Sequence, residues 1–67
     1  MILVTRLNKV EQFYINENLI EFIEETPDTT IILESGKRVV VMESVQVVLD
    51  RISAEKQRLY GARQEQR

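Results

Sequence analysis

The stretch Thr29-Thr30-Ile31-Ile32-Leu33-Glu34-Ser35-Gly36-Lys37-Arg38-Val39-Val40-Val41-Met42 constrains this chain more than any other. Two apolar runs, Ile31 to Leu33 and Val39 to Met42, flank a turn-forming Ser35-Gly36. Successive side chains of a strand point to opposite faces, so a hairpin lying on one core alternates apolar and polar residues. These runs do not alternate. With Ser35-Gly36 as a two-residue turn, Glu34 faces Lys37, Leu33 faces Arg38, Ile32 faces Val39 and Ile31 faces Val40. Opposite residues share a face. One face then holds Ile31, Leu33, Val40 and Met42, and the other Ile32, Val39 and Val41. Both are apolar near the middle, and both need cover.

Cover is scarce in a chain of 67 residues. A domain of this size buries only about 60% of the surface its unfolded chain exposes, and small domains lean on disulfides, metals or association. There is no cysteine and no histidine, which removes disulfides, thiolate sites and the commonest metal ligand. Self-association is the remaining aid, so a homo-oligomer is expected, with Ile32, Val39 and Val41 on the associating face.

Short elements surround the hairpin. Ile2 to Leu7 and Glu11 to Ile15 read as strands rich in branched and aromatic side chains. Residues 19 to 25, Leu-Ile-Glu-Phe-Ile-Glu-Glu, fit both a helical and an alternating pattern. Pro27 limits their length and favours a strand over 20–25. Thr26-Pro27-Asp28-Thr29 reads as the reversal into a strand over 29–33, and the next strand spans 38–42. Ser44 suits a helix N-cap. Behind it Val45, Val48, Leu49 and Ile52 fall at i, i+3, i+4 and i+7, the stripe of an amphipathic helix over 44–60. Past Ile52 the stripe thins to Leu59 and Tyr60, and Gly61 reads as a stop before a polar, frayed tail over 61–67. The expected fold is α+β, mainly β: one domain over 1–60, a small antiparallel five-strand meander, curled or barrel-like, with one C-terminal helix.

Chemistry is thinly represented. Nucleophilic catalysis needs an activating base, and Ser35 and Ser44 already have turn and cap roles. Glu24 and Glu25 are adjacent, so on a strand they point to opposite faces and do not pair. A phosphate cradle needs several glycines, and Gly36 and Gly61 both have structural explanations. No enzyme activity, small-molecule substrate, metal or cofactor is expected. Phe13, Tyr14 and Phe22 read as core. Arg6 stands in an apolar strand, where a guanidinium can bridge carboxylates, with Glu21 or Glu25 as candidate partners. Arg6, Ile32, Val39, Val41, Leu59 and Tyr60 are the candidate contact residues for a partner or a second copy.

Charge is uneven. Residues 1–50 carry four basic against nine acidic side chains, a balance of −5, whereas residues 51–67 carry five against two, +3. An acidic body is not the footprint of a nucleic-acid binder. The apolar start at Met1 to Val4 is too short for a signal peptide core, and no segment reaches the ~18 apolar residues of a membrane span. A cytoplasmic location is expected.

Thr5-Arg6-Leu7-Asn8, Phe13-Tyr14-Ile15-Asn16, the segment 19–33 and Ser35 to Ser44 together resemble the FlbD/SwrD family of small flagellar proteins. The most specific element is Ile-Glu-x-Ile-Glu-x-Thr-Pro-Asp-Thr, met by Ile20, Glu21, Ile23, Glu24, Thr26, Pro27, Asp28 and Thr29. Where the family usually has Asn-Gly, this chain has Asn8-Lys9; without that glycine a tight primed turn is costlier, and a longer first hairpin is expected. The resemblance implies a non-enzymatic protein that supports motility and swarming through the power of the flagellar motor. Taken with the two-faced hairpin and the sparse end of the helix, it gives the expectation of an adaptor that contacts a motor or basal-body protein at the flagellar base. The alternative is a small nucleic-acid-binding regulator of flagellar gene expression. The start of the chain is similar to the CsrA family, and residues 35–52 to part of LytTR domains.

Overall fold

The structure is a computed structural model that describes the backbone of residues 1–8 and 10–65 and the side chains of residues 1–8 and 10–59. Its elements are β1 (Ile2–Thr5), β2 (Gln12–Ile15), β3 (Ile20–Glu25), β4 (Thr29–Leu33), β5 (Arg38–Val40) and α1 (Val45–Glu65), with a 3-10 turn at Glu17–Leu19 between β2 and β3. The mainly β, α+β composition agrees with the sequence. The topology does not.

A five-strand meander requires β2 to pair with β3. Instead, β1 and β2 form one antiparallel sheet, and β3, β4 and β5 form another in the order β3-β4-β5. The break lies at Asn16. Its side chain accepts from the Asn18 N–H at 3.0 Å, and its carbonyl accepts from the Leu19 N–H, also at 3.0 Å. The chain winds into a tight turn there rather than reversing alongside β2. The sheets meet elsewhere, where Arg6 and Val41 form an isolated antiparallel bridge. The Leu7 N–H donates to the Val40 carbonyl and the Met42 N–H to the Thr5 carbonyl, at 3.1 and 2.8 Å. One end of β1 thus touches the end of β5, and the strands do not close into a barrel.

The central hairpin is shifted by one residue from the sequence reading. Ile31 opposes Val39, Ile32 opposes Arg38 and Thr30 opposes Val40. The Leu33 N–H donates to the Lys37 carbonyl at 2.9 Å, so Glu34, Ser35 and Gly36 form a three-residue loop. Positive φ explains the choice. A two-residue primed turn led by serine would need Ser35 itself in the left-handed region, whereas the three-residue loop needs one such residue. Gly36 supplies it, at φ +93°, and no other described residue has positive φ.

A one-residue slip moves side chains to the other face. Ile31, Val39 and Val41 now lie together in a core completed by Ile2, Val4, Ile15 and Val48. Phe13, Ile20, Ile23, Leu33 and Ile52 pack around it. The opposite face keeps Ile32, flanked by its cross-strand neighbours Phe22 and Arg38. Arg38 on β5 reaches across the middle strand to Glu24 on β3, with 3.2 Å between Nη2 and Oε1. Ile32 is left 9% exposed within this single chain. Side chains of the flanking strands β3 and β5 cover Ile32, while Phe22 and Val40 on the same face stay exposed.

Helix α1 starts as its cap dictates, with the Val47 N–H donating to Ser44 Oγ at 3.2 Å. It packs against β1 and β3. Of the expected stripe, Val48 is fully buried, Val45 and Ile52 are half-buried, and Leu49 is exposed. The helix continues through Gly61 to Glu65 rather than stopping. A helical glycine costs about 1 kcal/mol relative to alanine, and Ala62, Arg63, Gln64 and Glu65 beyond it are all good helix formers.

Candidate functional site

The two sheets part on the side that α1 does not cover, leaving a cleft of about 200 Å³ lined by Arg6, Phe13, Tyr14, Ile15, Asn16, Leu19, Leu33, Lys37 and Val39. Period-2 alternation in β2 builds one wall: Ile15 enters the core, Phe13 is half-buried against it, and Tyr14 between them points out, 67% exposed. The 3-10 turn presents Leu19, 48% exposed, at one end. The Glu34 N–H donates to the Leu19 carbonyl at 2.8 Å and ties this turn to the β4–β5 loop. Leu33 and Val39 form the floor, and Lys37, exposed just before β5, stands on the rim.

Arg6 fixes the other rim. Its guanidinium carbon lies 4.5 Å from the centroid of the Phe13 ring, in reach of a cation–π attraction. Its Nε donates to Glu11 at 3.2 Å, not to Glu21 or Glu25. The Arg6 N–H donates to the Glu11 carbonyl at 2.9 Å, so the loop that closes the first hairpin also orients this side chain. Neighbouring Thr5, Val10, Gln12, Met42 and Glu43 border a wider, shallower depression of about 420 Å³.

The remaining charged clusters hold α1 to the sheets. Glu43 accepts from Thr5 and from Arg51, and Arg51 also donates to the Leu3 carbonyl. Burial pushes the Glu43 carboxyl up, but the Thr5 N–H and hydroxyl, its own N–H and Arg51 together outweigh burial and leave it below the usual range. The Met1 ammonium lies 2.7 Å from Glu17 and 3.3 Å from Glu55, and Arg58 lies 2.8 Å from Glu55. The Arg58 guanidinium, and after it the ammonium, hold the Glu55 carboxyl at about 2 against the opposing push of burial. The ammonium likewise lowers Glu17. Each of these carboxylates is engaged in docking one element on another. Among the described residues no group of three His, Cys, Asp or Glu side chains is placed to hold a metal ion, and no helix is long and apolar enough to cross a membrane.

Of the six residues singled out from the sequence, only Arg6 and Val39 border the cleft, and Val39 does so as part of its floor. Val41 is 1% exposed in the core, so the shifted register removes it and the side chain of Val39 from any outer face. Ile32 lies covered on the far face of β4. Leu59 is exposed on α1, away from the cleft, and the Tyr60 side chain lies outside the described residues. Tyr14 and Phe22, expected in the core from the sequence, are 67% and 57% exposed, and Leu19, Leu33 and Lys37 carry no signal in the sequence that marks them. Alternation along Phe13-Tyr14-Ile15 is the one signal that places Tyr14 at the surface.

No curated protein and no solved structure matches this chain. The sequence profile of FlbD, the flagellar and swarming motility proteins, matches residues 1–60, which takes in every strand, the cleft and most of α1. The chain therefore belongs to the FlbD family of flagellar and swarming motility proteins.

Proposed function

We propose that this protein supports flagellar and swarming motility as a non-enzymatic adaptor in the cytoplasm, docking a flagellar motor or basal-body protein in the cleft between its two sheets. The observation that carries the reading is an apolar cleft continuous with the core and rimmed by exposed Tyr14 and Leu19, in a member of a motility family. The chain offers no histidine or cysteine to activate a nucleophile. The acidic balance of residues 1–50 favours a protein partner over a nucleic acid.

Site-specific photo-crosslinking in swarming cells tests it. A crosslinker at position 14 or 37 is expected to capture a flagellar motor or basal-body protein, while one at Gln46 on α1 does not. The same adduct from all three positions, or none from the cleft, contradicts the reading.

Self-association is a second reading, favoured by Phe22 and Val40 standing exposed beside Ile32 on the outer face of the three-stranded sheet. Sedimentation equilibrium across a concentration series tests it: a mass of one chain at every concentration rejects it.

A further inference from the structure

The cleft's chemistry names its occupant more closely, on the footing that the adaptor reading holds. Two features stand together. The first is size. A cavity of about 150 Å³ holds a benzene molecule, so about 200 Å³ accommodates one bulky side chain such as leucine, methionine or phenylalanine. The floor of Leu33, Val39 and Phe13 suits such a group and offers it no polar partner.

The second is charge. The body carries only four basic side chains, Arg6, Lys9, Lys37 and Arg38, against nine acids. Two of the four, Arg6 and Lys37, border this one cleft. Arg38 is engaged with Glu24, and Arg6 shares its charge with Glu11. Lys37 makes no ion pair within 4.0 Å among the described residues. Lys37 thus stands at the cleft as a cation with no ion-pair partner among the described residues, on a body that is acidic overall. Complementary charge at an interface rim steers association and fixes register, whereas a matching apolar anchor supplies most of the affinity.

We infer that the cleft binds an acidic linear segment of the partner protein, with one large apolar side chain seated between the sheets and a flanking carboxylate paired with Lys37. An amidated and acetylated peptide, Gly-Asp-Glu-Phe-Glu-Asp-Gly, is the probe, titrated into the full-length protein while backbone amide resonances are followed by NMR. The expected result is saturable shifts at Leu33, Lys37 and Val39. Affinity is expected to fall about thirty-fold when alanine replaces phenylalanine in the peptide. It also falls when lysines replace the four acids, and Lys37→Glu reverses the preference between the acidic and the lysine peptide. Lys37 is exposed, so this variant is expected to keep the parent spectrum outside the cleft. Should it fail to fold, Lys37→Gln replaces it and is expected to weaken acidic-peptide binding while removing discrimination between the two peptides.

No shift at any peptide concentration, equal binding of the alanine or lysine peptides, or shifts centred on α1 would overturn the inference. The outcome is separable from the adaptor reading. Crosslinking at Tyr14 to a flagellar protein, with no peptide binding, leaves the adaptor standing and rejects this chemistry. Selective peptide binding, with no flagellar adduct, does the reverse.

Discussion

The carboxylate of Glu43 accepts two hydrogen bonds from Thr5, one from the backbone N–H and one from Oγ1, each 2.9 Å long. Arg51 completes the cluster at 3.0 Å. One side chain in the link between β5 and α1 therefore joins the two-stranded sheet, the end of the three-stranded sheet and the helix. Hydrogen bonds to charged groups contribute roughly 1.5–3 kcal/mol each where partly buried. Glu43→Ala is expected to destabilise the fold by about 2–3 kcal/mol, read as a lowered urea midpoint with an unchanged slope.

Acid should loosen the same joints. Glu17, Glu43 and Glu55 all have carboxyls below the ordinary value of 4.5, Glu55 at about 2. A carboxyl lowered in the folded state contributes stability that is present above its unfolded value and lost as pH falls through the folded one. The urea midpoint is therefore expected to hold from neutral pH to about 5 and to decline from there toward 2. The double variant Glu43→Gln/Glu55→Gln should start lower and flatten that decline.

Gly36 carries the shifted register. Its φ of +93° is strained for any other residue, yet a Cβ there would meet no atom within 4 Å. Gly36→Ala is expected to cost about 1–2 kcal/mol from backbone strain alone, and Gly36→Asn less, because asparagine tolerates the left-handed region. Equal stability of all three proteins by urea titration would mean that the loop does not need this conformation.

Adjacent valines should respond oppositely. Val39 is packed in the core and Val40 is 37% exposed. Val39→Asp buries an unpaired carboxylate and is expected to unfold the chain, whereas Val40→Asp should retain the parent circular dichroism and melt cooperatively. Unfolding by both substitutions would restore the two-residue turn and its other register.

These contrasts show where the sequence is readable. The mainly β, α+β composition follows from local signals such as the branched and aromatic side chains of Ile2 to Leu7 and Glu11 to Ile15 and the apolar stripe behind Ser44. The register turned on which residue of the Glu34-Ser35-Gly36 loop takes positive φ, a choice that the apolar runs on both sides do not discriminate. The meander failed because pairing of sequential strands is only a tendency, and Asn16 wound the chain into a 3-10 turn instead. The cleft is harder still. Arg6 and Phe13 meet Leu19, Leu33 and Lys37 through non-local contacts, the Arg6–Val41 bridge and the hydrogen bond from the Glu34 N–H to the Leu19 carbonyl, that no short window of sequence contains. Arg6 was readable as a charged residue in an apolar strand. Its partners, Glu11 and the Phe13 ring, depended on the fold of the first hairpin.

Swarm expansion tests the central claim, that the cleft between the sheets is the working surface, most directly. A strain lacking this gene is complemented with the parent chain, with Tyr14→Ala/Lys37→Glu, or with Gln57→Ala on α1, after urea titration has shown all three to be equally folded. The account predicts that the parent and Gln57→Ala restore the swarm front while the cleft variant does not. Full swarming by the cleft variant, at parent protein levels, would contradict it.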